Sequence, residues 1–191
     1  HAFDYDKLLK VGGGTIDIHV RDAKKGEKLK LLNGTVLELH PEDIVVANGD
    51  TAVSLAGAMG GLDTEIDAKT QRILLEVATF NLYRLRNVQM RHGVFSEAIT
   101  RLTKGLPGAL GAPVLAEAVT MMSQLAGATA ASLPGDAYPG KHDPIVVEVS
   151  EKQINDTLGT QFAAEDIKEL LENVEFTVEI KNLVAKVTVS Y

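Results

Sequence analysis

The sequence predicts an α+β protein, with mixed or antiparallel sheets and helices, followed by a small winged-helix-like α+β module. Three observations predict it. Residues 15–56 read as β structure, with period-two alternation over Thr15 to Val20 and two strand pairs around Asn-Gly turns, helical periodicity takes over between Leu82 and Leu125, and a strand, two helices and a hairpin follow after Asp143.

The elements follow in order. Thr15-Ile16-Asp17-Ile18-His19-Val20 alternates as a half-buried strand does. Residues 29–32 and 35–39 flank Asn33-Gly34, a pair that tolerates positive φ at both turn positions and so predicts a tight hairpin. Residues 43–47 and 52–55 make a second strand pair around Asn48-Gly49-Asp50. Residues 73–80 are a further strand-like apolar run in which Glu76 is the single charge. Leu82, Leu85, Val88 and Gln89 recur at helical spacing and predict a helix over 82–90, ending near Gly93. A longer helix over 114–125 has Pro113 before it and Gly127 after it. Residues 128–143 are rich in Ala, Gly and Pro without periodicity. They place a domain over 1–135, a linker over 136–143 and a second module over 144–191. In that module residues 145–149 form a strand, and Ser150 N-caps a short helix running to Leu158-Gly159. Residues 163–173 make an amphipathic helix with Ile167, Leu170 and Leu171 on its apolar face, and 177–180 with 184–189 alternate as a hairpin.

Composition narrows the function classes. The 191 residues, 45% hydrophobic and 24% charged, suit one large globular domain or one domain with a small neighbour, with length enough to bury a core. The lack of cysteine excludes disulfides, thiolate catalysis and zinc–thiolate sites, and agrees with a cytoplasmic location. With no run of about 18 apolar residues and no signal-peptide pattern, no membrane partner is expected. The opening His1-Ala2-Phe3-Asp4 and the stop at Tyr191 suggest cuts through the modules of a longer chain. The net charge of −7 argues against a general nucleic-acid coat. Arg84, Arg86, Arg91, Arg101 and Lys104 nonetheless stand against Glu97 alone, a local +4 that leaves −11 elsewhere. Such a strip either meets phosphates or is a solvated helix face.

Three constellations could carry chemistry. Leu55-Ala56-Gly57-Ala58-Met59-Gly60-Gly61 lets backbone approach backbone or ligand closely, but it has neither the Gly-Lys-Ser/Thr of a phosphate loop nor the dinucleotide GxGxxG order. Glu76 lies inside an apolar run, where it either faces the solvated side of a strand or serves as an acceptor for a ligand hydroxyl in an apolar pocket. The histidines His1, His19, His40, His92 and His142 show no metal-ligand spacing, so no metal is expected. Ser54 and Ser96 lack a nucleophile-elbow context, which leaves positioned water as the means of any hydrolysis.

Four stretches together resemble the β chain of bacterial-type phenylalanyl-tRNA synthetases. His1-Ala2-Phe3-Asp4 with Asp6-Lys7-Leu8 resembles the HAFD segment of that family, and Ser54 to Gly61 followed by Asp63 and Glu65 resembles its SLAGVMGG loop. Leu74-Leu75-Glu76-Val77-Ala78 with Phe80 resembles its LEVAxF strand, and Arg91 to Ala98 resembles RRHGLRTEAS. Order and spacing agree over about residues 1–127. Beyond the linker, residues 145–191 with Ile154-Asn155-Asp156-Thr157-Leu158-Gly159 are similar to the family's B5 module.

The resemblance implies a B3/B4 α+β domain that hydrolyses tyrosine from mischarged tRNA(Phe). Glu76 then matches the glutamate holding the tyrosyl hydroxyl. Ala56 and Gly57 match small residues that leave room for the ring. His1, Ser96 and Ala98 match further pocket positions, and Arg84, Arg86 and Arg91 would face the tRNA. The implied partners are tRNA(Phe) and the synthetase α subunit in a heterotetramer. No cofactor is implied for this stretch, ATP and magnesium belonging elsewhere in the enzyme. Three departures thin the basic strip: Thr103-Lys104-Gly105-Leu106-Pro107 in place of a basic ERG segment, Phe95 in place of a basic residue, and Met90 in place of an arginine. The alternatives are an editing-inactive scaffold or tRNA-binding surface, and a domain binding free aromatic amino acid.

Overall fold

The computed structural model describes residues 1–141 and 143–189, so His142 of the linker reading, and Ser190 and Tyr191 at the end of the second module, lie outside the described residues. The chain divides into two compact units, one over residues 1–133 and one from Pro134 onward. Both are α+β, and every strand pairing among the described residues is antiparallel.

In the first unit β1 (Ala2–Asp4) leads into α1 (Tyr5–Val11), and then come β2 (Ile18–Asp22), β3 (Lys28–Lys30), β4 (Val36–Glu38), β5 (Ile44–Asn48), β6 (Thr51–Leu55) and β7 (Met59–Gly60). After β8 (Ile73–Leu75) the chain turns helical: α2 (Leu82–His92), α3 (Glu97–Leu102) and α4 (Gly111–Ala126). β2-β5-β6-β7 form a four-stranded sheet, while β3-β4 and β1-β8 are two-stranded ribbons. Every residue of β5 is buried, as in a strand covered on both faces. Its alternation sends Val45 into one core cluster with Leu31, Leu55, Leu85, Val88 and Ile99, and Ile44 and Val46 into another with Phe3, Leu8 and Val53. Burying each such side chain contributes about 1.5–3 kcal/mol. Phe80 touches both clusters and joins the helical layer to the ribbon.

Two sequence expectations are corrected. The Asn33-Gly34 hairpin forms, but only Gly34 has positive φ, at 84°. Gly34 N–H donates to the Leu31 carbonyl at 2.8 Å and Leu31 N–H to the Thr35 carbonyl at 2.8 Å. Asn33 instead accepts Thr35 N–H through Oδ1 at 3.0 Å, so its side chain takes up the turn that its backbone was expected to make. The run over 73–80 is not one long strand: β8 stops at Leu75 because its partner β1 is only three residues long. The ladder runs on by a single pair, Glu76 N–H donating to the His1 carbonyl at 2.7 Å. Sequence periodicity also missed α1 and α3, each short and capped by a side chain, Asp4 and Ser96 respectively.

α4 differs from the other helices. Gly127 caps it with φ 63°, yet none of its residues is buried, and Glu117 is its single charged residue. Within Gly108–Ala126 an 18-residue window has a mean hydropathy of 1.2, apolar enough in composition for a membrane span. The α-helical part rises only about 24 Å, short of a hydrocarbon core of about 30 Å.

The second unit contains β9 (Val146–Ser150), α5 (Glu151–Leu158), α6 (Ala164–Glu172), β10 (Thr177–Lys181) and β11 (Val184–Thr188), with strand order β10-β11-β9. Ser150 caps α5 by accepting Gln153 N–H at 3.1 Å. The core is small: Val178, Ala185 and Val187 packed with Phe176 and Leu171. The hairpin with two successive positive-φ residues occurs here, at Asn182 and Leu183, with Lys181 paired to Val184 across it.

Candidate functional site

The glycine-rich segment is the connection between β6 and β7. Ala58 N–H closes the turn on the Leu55 carbonyl at 3.0 Å, with Gly57 in the left-handed region at φ 64°. A Cβ at Gly57 would lie 3.0 Å from Leu102 Cδ1 and Phe80 Cδ2 and 3.1 Å from Leu85 Cδ2. Ala56 is buried beside Phe3, Leu8 and Val53. The small residues of this turn therefore sit against the protein's own core. Gly60 makes a different close approach: a Cβ there would meet the His1 ring at 2.5 Å. The ring of His1 lies over the Gly60 backbone and stands edge-on to Phe3, with centroids 4.4 Å apart and planes at 76°.

The β1-β8 ribbon carries His1 directly opposite Glu76. The two residues exchange main-chain hydrogen bonds, His1 N to the Glu76 carbonyl at 2.6 Å and Glu76 N–H to the His1 carbonyl at 2.7 Å. Glu76 is half-buried. Among the described residues its carboxylate has no hydrogen bond and no ion pair, and burial pushes its pKa above the ordinary glutamate value. Leu74, two residues before it, packs into the cluster that holds Ala56, and Phe80, four residues after it, covers Gly57.

Ser96 and Ala98 come from α3. The Ser96 hydroxyl donates to the Ala58 carbonyl at 2.6 Å and accepts Ile99 N–H at 3.2 Å. Ala98 is exposed on the same short helix. The structure thus gathers Gly57, Ser96 and, through Phe80, the segment bearing Glu76 around one turn. A cavity of about 20 Å³ elsewhere in this unit, lined by Val11, Leu29, Thr51, Ala52, Val53 and Thr64 among others, contains none of the predicted residues.

The predicted basic face is thinner than the sequence suggests. Arg84 donates to the Glu42 carbonyl at 2.7 Å and to Asp22 Oδ1 at 2.5 Å. Arg91 bonds Asp43 Oδ1 at 2.6 Å and Glu42 Oε2 at 2.9 Å. Arg86 is exposed and has no ionic partner among the described residues. Sequence reasoning missed Asp43 altogether. Its carboxylate is fully buried and binds Arg91 and His92, each at 2.6 Å, and His40 N–H at 2.8 Å. The available signal was an acid immediately before the apolar run Ile44 to Ala47 that opens β5, since a carboxylate there needs partners.

Residues 1–127 match the B3/4 domain model, and the chain belongs to that family. Its sequence is also similar to phenylalanine–tRNA ligase beta subunits: 40% identical over 179 residues to that of Moorella thermoacetica, covering 93% of this chain and 22% of the relative, and 36% identical over 176 residues to that of Geobacillus kaustophilus, covering 92% and 21%. The chain spans about a fifth of the length of these curated relatives. A crystal structure of an N-terminal fragment of the phenylalanyl-tRNA synthetase beta subunit from Pyrococcus horikoshii aligns over 98% of the chain and 52% of that fragment, with 16% identity and a TM-score of 0.45.

Proposed function

We propose that this chain is part of a phenylalanine–tRNA ligase β subunit whose first unit hydrolyses tyrosine from mischarged tRNA(Phe), and whose second unit is a B5-like module. The observation that carries the reading is Glu76, a half-buried carboxylate that accepts no hydrogen bond among the described residues and feels only the more distant charge of the His1 ammonium, held beside the glycine-rich turn. A tyrosyl hydroxyl supplies the missing donor, and phenylalanine does not. A hydrogen bond to a charged group is worth about 1.5–3 kcal/mol, and a ligand lacking the hydroxyl leaves the acceptor unsatisfied. His1, Ala56, Gly57, Ser96 and Ala98 complete the surroundings, with water as the nucleophile. Arg86 is the arginine of the helical strip available to phosphate. ATP, magnesium, the α subunit and aminoacylation belong to the complete cytoplasmic enzyme. Glu76→Ala in that enzyme is expected to slow deacylation of Tyr-tRNA(Phe) at least about tenfold, the factor that 1.4 kcal/mol produces. Unchanged tyrosine clearance would refute the assignment.

A second reading, a scaffold or tRNA-binding surface without hydrolysis, is favoured by the packing of Ala56 and Gly57 on protein atoms. It requires a wild-type enzyme that leaves Tyr-tRNA(Phe) intact but loses tRNA affinity when Arg84, Arg86 and Arg91 are neutralised.

A further inference from the structure

We infer that Ser96 is a positioning residue: its hydroxyl fixes α3 on the Ala56-Gly57-Ala58 turn and does not itself donate to a ligand. The inference rests on the deacylation reading for its consequence, and on geometry for its substance. A serine hydroxyl has one proton, and that of Ser96 is committed to the Ala58 carbonyl at 2.6 Å. The same oxygen accepts Ile99 N–H at 3.2 Å, satisfying an amide at the start of α3 that would otherwise lack a partner. Ser96 therefore bonds both the helix end and the turn.

The other end of α3 meets the same turn. Leu102 lies so close to Gly57 that a Cβ there would be 3.0 Å from it. α3 is thus fixed at two points, a hydrogen bond at its first turn and an apolar contact at its last. Ile99 between them is fully buried in the main core cluster. Ahead of Ser96, the Asp43 pairs with Arg91 and His92 hold the end of α2, and Gly93 in the left-handed region with buried Val94 carries the chain across. The Ala58 carbonyl, at the tip of the β6–β7 turn, has Ser96 as its hydroxyl donor. Removing that donor frees the turn and the exposed face of α3, Ala98 included, to move independently. The floor of the proposed pocket would then lose its fixed distance from the Glu76 segment.

Two readouts separate this from a direct ligand contact and from a purely structural role. The first is amide hydrogen exchange on the full 191-residue chain as wild type, Ser96→Ala and Ser96→Thr. Exchange across residues 54–60 is expected to quicken about tenfold in Ser96→Ala and to return to within about twofold of wild type in Ser96→Thr, tenfold corresponding to one hydrogen bond of about 1.4 kcal/mol. Unchanged exchange in Ser96→Ala would overturn the inference. The second is a double-variant cycle in the complete enzyme, with Ser96→Ala and Leu102→Ala assayed on Tyr-tRNA(Phe). Because both loosen the same contact, the double variant is expected to lose less activity than the product of the single losses. Independent, multiplying losses would mean that Ser96 acts on substrate directly, and would also overturn it. A wild-type enzyme that does not deacylate would remove the functional reading of the previous section, and the exchange result would still decide the role of Ser96.

Discussion

α2 and α4 carry almost the same signals in sequence and end up in opposite situations. Each has apolar residues at helical spacing and ends on a left-handed glycine, Gly93 for one and Gly127 for the other. α2 buries Leu85 and Val88 in the main core, begins on a side-chain cap from Asn81 and ends on two pairs with Asp43. α4 begins without a side-chain cap and buries nothing; Leu115, Ala118 and Met122 are half-buried, and Leu125 is 80% exposed. Periodicity thus tells where a helix forms and which of its faces is apolar. It does not tell whether the surface meeting that face is part of the same unit.

The sharpest test removes the anchor of α2. Asp43→Ala strips the buried anion from Arg91 and His92, and breaking such a buried group is expected to cost about 3–5 kcal/mol, seen as a lower urea midpoint for the first unit. Truncation of the apolar faces comes next. Leu85→Ala is expected to cost about 2–5 kcal/mol, while Leu125→Ala stays within about 0.5 kcal/mol. A comparable loss at Leu125 would show that α4 is packed in solution and would collapse the contrast.

The smallest effect concerns acid. α1, unlike α4, begins on a titrating cap: Asp4 accepts Lys7 N–H at 2.9 Å and the Thr70 hydroxyl at 2.6 Å. The Thr70 hydroxyl, foremost, and the Lys7 amide hold the Asp4 carboxyl below the ordinary aspartate value. A lowered native pKa means that the unfolded chain binds more protons in that window. The stabilisation is therefore complete above the ordinary value near 4 and is lost as pH falls through the native one. Glu76 has the opposite sign. With its native pKa raised, the folded form binds the extra proton, so its contribution weakens as pH rises from the ordinary glutamate value through the native one. Asp4→Asn, which keeps a capping oxygen, is expected to flatten the acid limb of a stability profile, and Asp4→Ala to lower stability by about 1 kcal/mol at neutral pH, both leaving the α4 amides unaffected. An acid limb unchanged in Asp4→Asn would assign that limb to other carboxylates.

Much of the fold was legible because its signals are local. The strand pair around Asn48-Gly49-Asp50, the helix starting at Leu82 and the Ser150 cap each depend on a few adjacent residues, and each element lies where those residues point. What escaped depends on distant partners. β8 ended early because β1, some 70 residues away in sequence, is short, and the ribbon length is a property of the pair. α1 and α3 are shorter than two turns, too brief for periodicity to register, and rest on single capping bonds. At the site, Glu76 was legible as a charge in an apolar run. The Ser96 bond to Ala58 joins positions 38 residues apart, and the Asp43 pairs span 48 and 49, so local spacing carries no trace of them.

Gly57 bears on how such a domain can drift. Replacing it puts a side chain on a left-handed backbone, strained whatever the space, and makes the tips of Leu102, Phe80 and Leu85 each give way by a few tenths of an ångström. Ala98, exposed on α3, asks for none of this, and a bulkier residue there leaves the core intact. Substitutions are therefore expected to be tolerated on the exposed side of α3, one at a time, while the turn beneath it stays as it is. For anyone wishing to reshape the domain, position 98 is where a library of substitutions would keep most of its members folded.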